Sequence, residues 1–99
     1  KAADKQFRND IQGALSYFIG ADPDYNEDGG FAINPWTQVE FQNDSINIYE
    51  SMALAMGNYF FTDLNGNKTK VEYTFAYIKD DTGELKIILH HSSLPYPLV

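Results

Sequence analysis

Ala53-Leu-Ala-Met-Gly-Asn-Tyr-Phe-Phe-Thr62, then Asp-Leu-Asn65-Gly66-Asn, then Lys68-Thr-Lys-Val-Glu-Tyr-Thr-Phe-Ala-Tyr-Ile78 is the stretch whose reading decides the fold. Its second half alternates. Val71, Tyr73, Phe75 and Tyr77 point to one side, and Glu72, Thr74, Ala76 and Ile78 to the other. Asn65-Gly66 suits a tight type I′ hairpin, since both residues tolerate positive φ. Two long antiparallel strands are expected, one from Ala53 to Thr62 and one from near Lys68 to Ile78.

Downstream, a turn over Lys79 to Gly83 leads into a last strand, Leu85 to Ser92. Upstream, a short strand near Ile46 to Tyr49 is expected to return from a turn at Asn43-Asp44. Before that turn, Trp36 to Gln42 alternates, with Thr37, Val39 and Phe41 on one face. Ala21 to Gly30 carries three Asp, an Asn, a Pro and two Gly, and reads as a loop. Ahead of it, Ile11, Ala14, Leu15, Phe18 and Ile19 follow helical spacing, with Asp10 as N-cap and Gly20 as stop. A helix followed by a long antiparallel meander makes an α+β domain. A curved sheet wrapping the helix as a cone with a pocket and a flat sheet with one helix and no cavity both satisfy this pattern.

The 99 residues suit a single domain spanning 1–99, and seven Tyr, seven Phe and one Trp provide for a packed core. Seven Lys and Arg against fourteen Asp and Glu leave a formal charge of −7, which repels phosphate backbones and anionic lipid, so nucleic acid is not expected as a partner. The longest apolar run is Met52 to Met56, far below the roughly 20 residues needed to span a bilayer, so no membrane association is expected. No cysteine occurs, which excludes disulfides, thiolate metal sites and a Cys nucleophile. The opening Lys-Ala-Ala-Asp-Lys-Gln has neither a signal core nor transit-peptide composition.

His90-His91-Ser92-Ser93 is the densest cluster of reactive side chains. On a strand, His90 and Ser92 share one side while His91 and Ser93 share the other, so the two imidazoles cannot chelate one ion and no metal site is expected there. His90 is otherwise a hydrogen-bonded imidazole under the sheet rim. Asp24, Asn26, Asp28 and Gly29 match the first half of a calcium loop, but Pro35 stands where the bidentate Glu belongs, which leaves a solvated acidic turn as the plainer reading. No nucleophilic triad, phosphate-binding loop or dinucleotide fingerprint is present.

Gly13-Ala-Leu-Ser-Tyr17-Phe-Ile-Gly20, Pro35-Trp36-Thr37, Ala53 to Thr62 and Leu89-His-His-Ser-Ser-Leu-Pro95, in that order, resemble the iota-class carbonic anhydrases. The resemblance implies a cystatin-like cone of the nuclear transport factor 2-like superfamily, near the association domain of calmodulin-dependent kinases. It implies reversible hydration of carbon dioxide to bicarbonate in a pocket that needs no cofactor, with Tyr17, His90 and Ser92 as catalytic residues. Algal members suggest a chloroplast location, with the periplasm as the alternative, and a homodimer is expected because the aromatic-rich strand faces exceed what one helix can cover. The family's further threonine precedes the helix; the first Thr here is Thr37, so N-terminal helices and one pocket hydroxyl are expected to lie upstream of Lys1.

Without a metal to acidify water, the chemistry falls to His90 as base or relay and to oriented hydroxyls at Tyr17 and Ser92. Phe18, Trp36, Tyr59 and Phe75 are candidates for apolar walls that receive carbon dioxide, with ordinary core packing as the plain alternative for each. A non-catalytic association module would pair through the outer sheet face and aromatics such as Tyr73 or Tyr77. An isomerase on the same scaffold would need Glu72 or Asp63 turned inward as a base.

Overall fold

The structure, a computed structural model, describes residues 2–98. Its elements are helix α1 (Ile11–Ile19), a 3-10 turn (Phe31–Ile33) and strands β1 (Gln38–Tyr49), β2 (Met52–Thr62), β3 (Lys68–Lys79) and β4 (Leu85–Ser93). The fold class is α+β, and the strands form one antiparallel sheet in the order β1-β2-β3-β4. Contacts divide the chain into two compact units, with the boundary between Trp36 and Thr37.

In the first unit, Asp10 caps α1 by accepting from the Gly13 amide at 2.7 Å, and Gly20 ends the helix at φ 70. The expected apolar stripe is nevertheless not what the helix buries: Ile11, Leu15 and Ile19 are 86%, 52% and 46% exposed, whereas Gly13 and Ser16 are buried. The reason lies in the loop expected over Ala21 to Gly30. Asp28 accepts two hydrogen bonds from the Arg8 guanidinium, at 2.7 and 2.9 Å, and one from the Ser16 hydroxyl at 2.6 Å. Arg8 also donates to the Gly13 carbonyl at 2.8 Å. Small residues on that side of α1 let the ion pair close, with only 8% and 2% of the two side chains exposed. Asp28 is thus neither a calcium ligand nor part of a solvated turn.

In and beside the second unit, three features depart from expectation. Asn43-Asp44 is not a turn. β1 runs through it with a register shift between Asn43 and Ser45, and the chain reverses at Glu50-Ser51, where Glu50 takes φ 55. Trp36 lies just before the strand rather than in it. The β2–β3 connection is not a type I′ turn, because only Gly66 has positive φ. Instead Gly66 donates to the Asp63 carbonyl, while Asp63 Oδ1 accepts from the Asn65 and Asn67 amides at 2.8 and 3.0 Å. Asp80 to Glu84 repeats that arrangement, with Asp80 Oδ1 accepting from the Thr82 and Glu84 amides and Gly83 at φ 82. A Gly with φ > 0 closing a turn whose first side chain caps the following amides matches the right-handed strand twist as a I′ turn would.

The β2–β3 register pairs Ala55 with Phe75, Gly57 with Tyr73 and Tyr59 with Val71, so buried Ala55, Tyr59, Phe61, Val71, Tyr73 and Phe75 share one face. The irregularity in β1 and a second one opposite Ala76/Tyr77 in β4 bend the sheet, as bulges do. Gly57 is required at the first of these: a Cβ there would sit 2.4 Å from the Gln42 carbonyl oxygen and 2.8 Å from the Asp44 amide nitrogen.

Candidate functional site

The β3–β4 register sets His90 opposite Phe75 and Ser92 opposite Tyr73, which brings both onto the aromatic face. His91 pairs with Thr74 on the other face, so the two imidazoles diverge as strand parity requires. His90 Nε2 and Ser92 Oγ are 3.1 Å apart. The imidazole meets Phe75 edge to face at 4.5 Å between centroids. Partial burial lowers the His90 pKa below the ordinary histidine value, and the neighbouring His91 adds to the effect, which keeps the ring neutral at pH 7.

Ser92 has a second partner in Tyr59, whose phenol shares a hydrogen bond with Ser92 Oγ. As an apolar wall Tyr59 would contribute its ring alone; here its hydroxyl also has a partner. The ring packs against Phe61, Tyr73 and Phe41 at 4.8, 5.3 and 5.4 Å. Tyr73 is buried on this same face and bonded to Asn43 Oδ1, so it is not an exposed interface aromatic. A buried phenol needs a partner, and its strand parity with Phe61 is the signal that could have found Tyr59.

In the helical unit, Tyr17 stacks on Phe31 at 6.2 Å and meets Phe18 edge to face at 5.4 Å. Trp36 packs on Phe31 at 5.4 Å and donates from Nε1 to the Phe31 carbonyl at 3.0 Å. Tyr17, Asp28, Gly30 and Phe31 line an open cleft of 680 Å³. Burial raises the Tyr17 pKa, the nearby Asp28 carboxylate raises it further and Arg8 partly offsets this, so the phenol stays protonated and a donor at neutral pH. The structure thus groups Tyr17, Phe18 and Trp36 in one unit and Tyr59, Phe75, His90 and Ser92 in the other.

Among the described residues, no group of three or more His, Asp or Glu converges as a metal site would require. Asp22 and Asp24 accept from the Gln12 side-chain amide at 3.1 Å each, while Asp28 is committed to Arg8 and Ser16. The carboxylates considered as an isomerase base are likewise placed elsewhere. Glu72 pairs with Asn58 and Ser93 on the face away from His90, and Asp63 caps the hairpin. No helix among the described residues is long and apolar enough to cross a membrane. Chemically, the sheet unit offers a neutral imidazole coupled to two hydroxyls on an aromatic floor, an arrangement able to accept a proton from water and hold an oxyanion.

A family model described as metal-independent carbonic anhydrase matches residues 1–94. A metal-independent carbonic anhydrase of Nostoc sp. (strain PCC 7120 / SAG 25.82 / UTEX 2576) is 48% identical over 92 residues, covering 93% of this chain and 45% of that protein. The crystal structure of a cyanobacterial iota-carbonic anhydrase complexed with bicarbonate superposes with a TM-score of 0.92 at 45% identity, over 98% of this chain and 59% of that one. The chain therefore spans about half the length of its curated relative. Matched over residues 1–94, nearly its whole length, the chain belongs to the metal-independent, iota-class carbonic anhydrase family.

Proposed function

We propose that the protein interconverts carbon dioxide and bicarbonate without a bound metal, and that His90 and Ser92 move the proton. The observation that carries this is the hydrogen bond between Ser92 Oγ and His90 Nε2 on the aromatic face, beside an imidazole whose pKa burial lowers. Water oxygen attacks the carbon of carbon dioxide as its proton passes to Ser92 Oγ and the Ser92 proton passes to His90 Nε2. The products are bicarbonate and an imidazolium, and the imidazolium returns its proton to solvent. A lowered His90 pKa makes that return fast and keeps the base form populated. Phe75 and the Tyr59 ring supply apolar surface for carbon dioxide. Tyr17 matches the family's helix tyrosine, and on that resemblance it is a third catalytic residue, a phenol able to donate a hydrogen bond, with Phe18 and Trp36 as wall residues of its unit.

A nuclear transport factor 2-like fold and a homodimer belong to the same proposal. Supporting the dimer, Leu54 and Leu89 flank Ala76 on the sheet face opposite His90, next to Met56, and all but Ala76 are about half exposed. Oxygen-18 exchange between bicarbonate and water, followed by mass spectrometry on the full-length protein with and without chelator, tests the activity. Exchange that persists under chelation is expected, and exchange no faster than buffer would overturn the reading.

A further inference from the structure

We propose that Tyr59 is a positioning residue for the reaction: its phenol donates to Ser92 Oγ and thereby turns the Ser92 hydroxyl toward His90 Nε2. The inference rests on the reading of His90 and Ser92 given above and adds a third member to their row.

The sheet geometry makes the Tyr59–Ser92 bond a demanding one. Tyr59 is on β2 and Ser92 on β4, with β3 between them; Tyr59 is opposite Val71, whereas Ser92 is opposite Tyr73. The phenol therefore crosses β3 diagonally to reach its partner. Tyr73, one step along, leans the other way, over the bare backbone of Gly57, to reach Asn43 on β1. The two tyrosines pass one another with ring centroids 5.3 Å apart, and Phe61 and Phe41 hold Tyr59 from the far side. With 8% of its surface exposed, Tyr59 has little access to water for its hydroxyl.

The direction of the bonds follows from acidity. A phenol is a far stronger acid than an aliphatic hydroxyl, so in a phenol–serine pair the phenol donates and the serine accepts. Ser92 then has its own hydrogen to give, and His90 Nε2 at 3.1 Å is the acceptor beside it. That arrangement selects the Nδ1–H tautomer of His90. When Ser92 passes a proton from water to His90, negative charge builds transiently on Oγ, where the Tyr59 donor is already aimed. Among the described residues of the sheet unit, titratable groups near the row include Tyr73, bonded to Asn43, and Tyr77, whose ring is 5.8 Å from Phe75; His91 is on the opposite face.

The test is an NMR titration of the His90 ring in the full-length protein, alongside kcat and KM. Tyr59→Phe keeps the ring and frees Ser92 to accept from the imidazolium, so the His90 pKa should rise by roughly half to one unit, about the worth of one hydrogen bond. Turnover should fall about tenfold with little change in KM. In a Ser92→Ala background the same substitution should leave His90 unmoved. An unchanged His90 titration in Tyr59→Phe, or the same shift persisting without Ser92, would overturn the proposal. Should Tyr59→Phe not fold, 3-fluorotyrosine at position 59 preserves the packing and strengthens the donor: a lower His90 pKa supports the row and an unmoved one refutes it. Because the titration needs no turnover, an inactive wild type would refute the proposed activity and leave the row to be decided on its own.

Discussion

Replacing Gly57 by Ala adds one carbon at the point where β1 crowds β2. That carbon would meet the Gln42 carbonyl oxygen at 2.4 Å, the Asp44 amide nitrogen at 2.8 Å and the Asn43 Cα at 2.9 Å, all backbone atoms and all inside the 3.0 Å that real Cβ contacts respect. No rotamer relieves such a clash; β1 must shift around its irregularity. Overpacking of a tight interior costs typically 1–3 kcal/mol, and rigid neighbours put this site in the upper half of that range. For a domain of this size each kcal/mol lowers Tm by about 4–8 °C, so Gly57→Ala should lose on the order of 10–20 °C. The shift also pulls Asn43 from Tyr73, loosening the ring that Tyr59 passes. Differential scanning calorimetry measures the first effect, with Gly29→Ala as control, since nothing lies within 4 Å of a Cβ at Gly29. A Gly57→Ala melt within 2 °C of wild type, ~0.5 kcal/mol at most, would refute the reasoning.

Hydrogen bonds from Arg8, followed by the one from Ser16, hold the Asp28 carboxyl below the ordinary aspartate range. A depressed folded pKa gives stability that is present above the unfolded pKa and lost as pH falls through the folded one. Asp28→Asn should therefore melt lower than wild type at pH 7 and lose less Tm between pH 7 and pH 3, checked by circular dichroism. With His90 as the proposed base, activity should fall on acidification only below the ordinary histidine pKa, and a pH–rate profile centred above 6.5 would contradict the role of burial. His90→Ala should lower turnover while His91→Ala leaves it nearly unchanged; equal losses with folding intact would sink the face assignment. Light scattering should find a dimer at micromolar concentration, dispersed by Met56→Glu on the apolar face opposite His90.

Helix α1, its caps, the three later strands and the shared face of His90 and Ser92 were legible because periodicity and end signals agree there. The β1–β2 reversal was not. Asn43-Asp44 has turn chemistry but takes up an irregularity against Gly57, and Glu50-Ser51 has none but turns, because pairing along twelve residues of β1 outweighs local preference. The burial of α1 was misread for a related reason. Periodicity marks Ile11, Leu15 and Ile19, whereas the loop packs by an ion pair that needs the small face of Gly13 and Ser16, and nothing local links the chain's single arginine to Asp28 twenty residues on. Tyr59 was recognised as a ring and missed as a hydroxyl, since its partner lies two strands away and register is invisible to composition.

The central claim is that the Ser92–His90 pair carries the proton in a reaction that needs no metal. Stopped-flow carbon dioxide hydration by the full-length protein and by Ser92→Ala, each assayed with chelator present, tests it most directly. The wild type should turn over unaffected by the chelator, and Ser92→Ala should be slower by roughly tenfold to a thousandfold, as expected for loss of a transition-state hydrogen bond, with its melting temperature unchanged. Turnover by Ser92→Ala at the wild-type rate, or wild-type activity abolished by chelation, would contradict the claim.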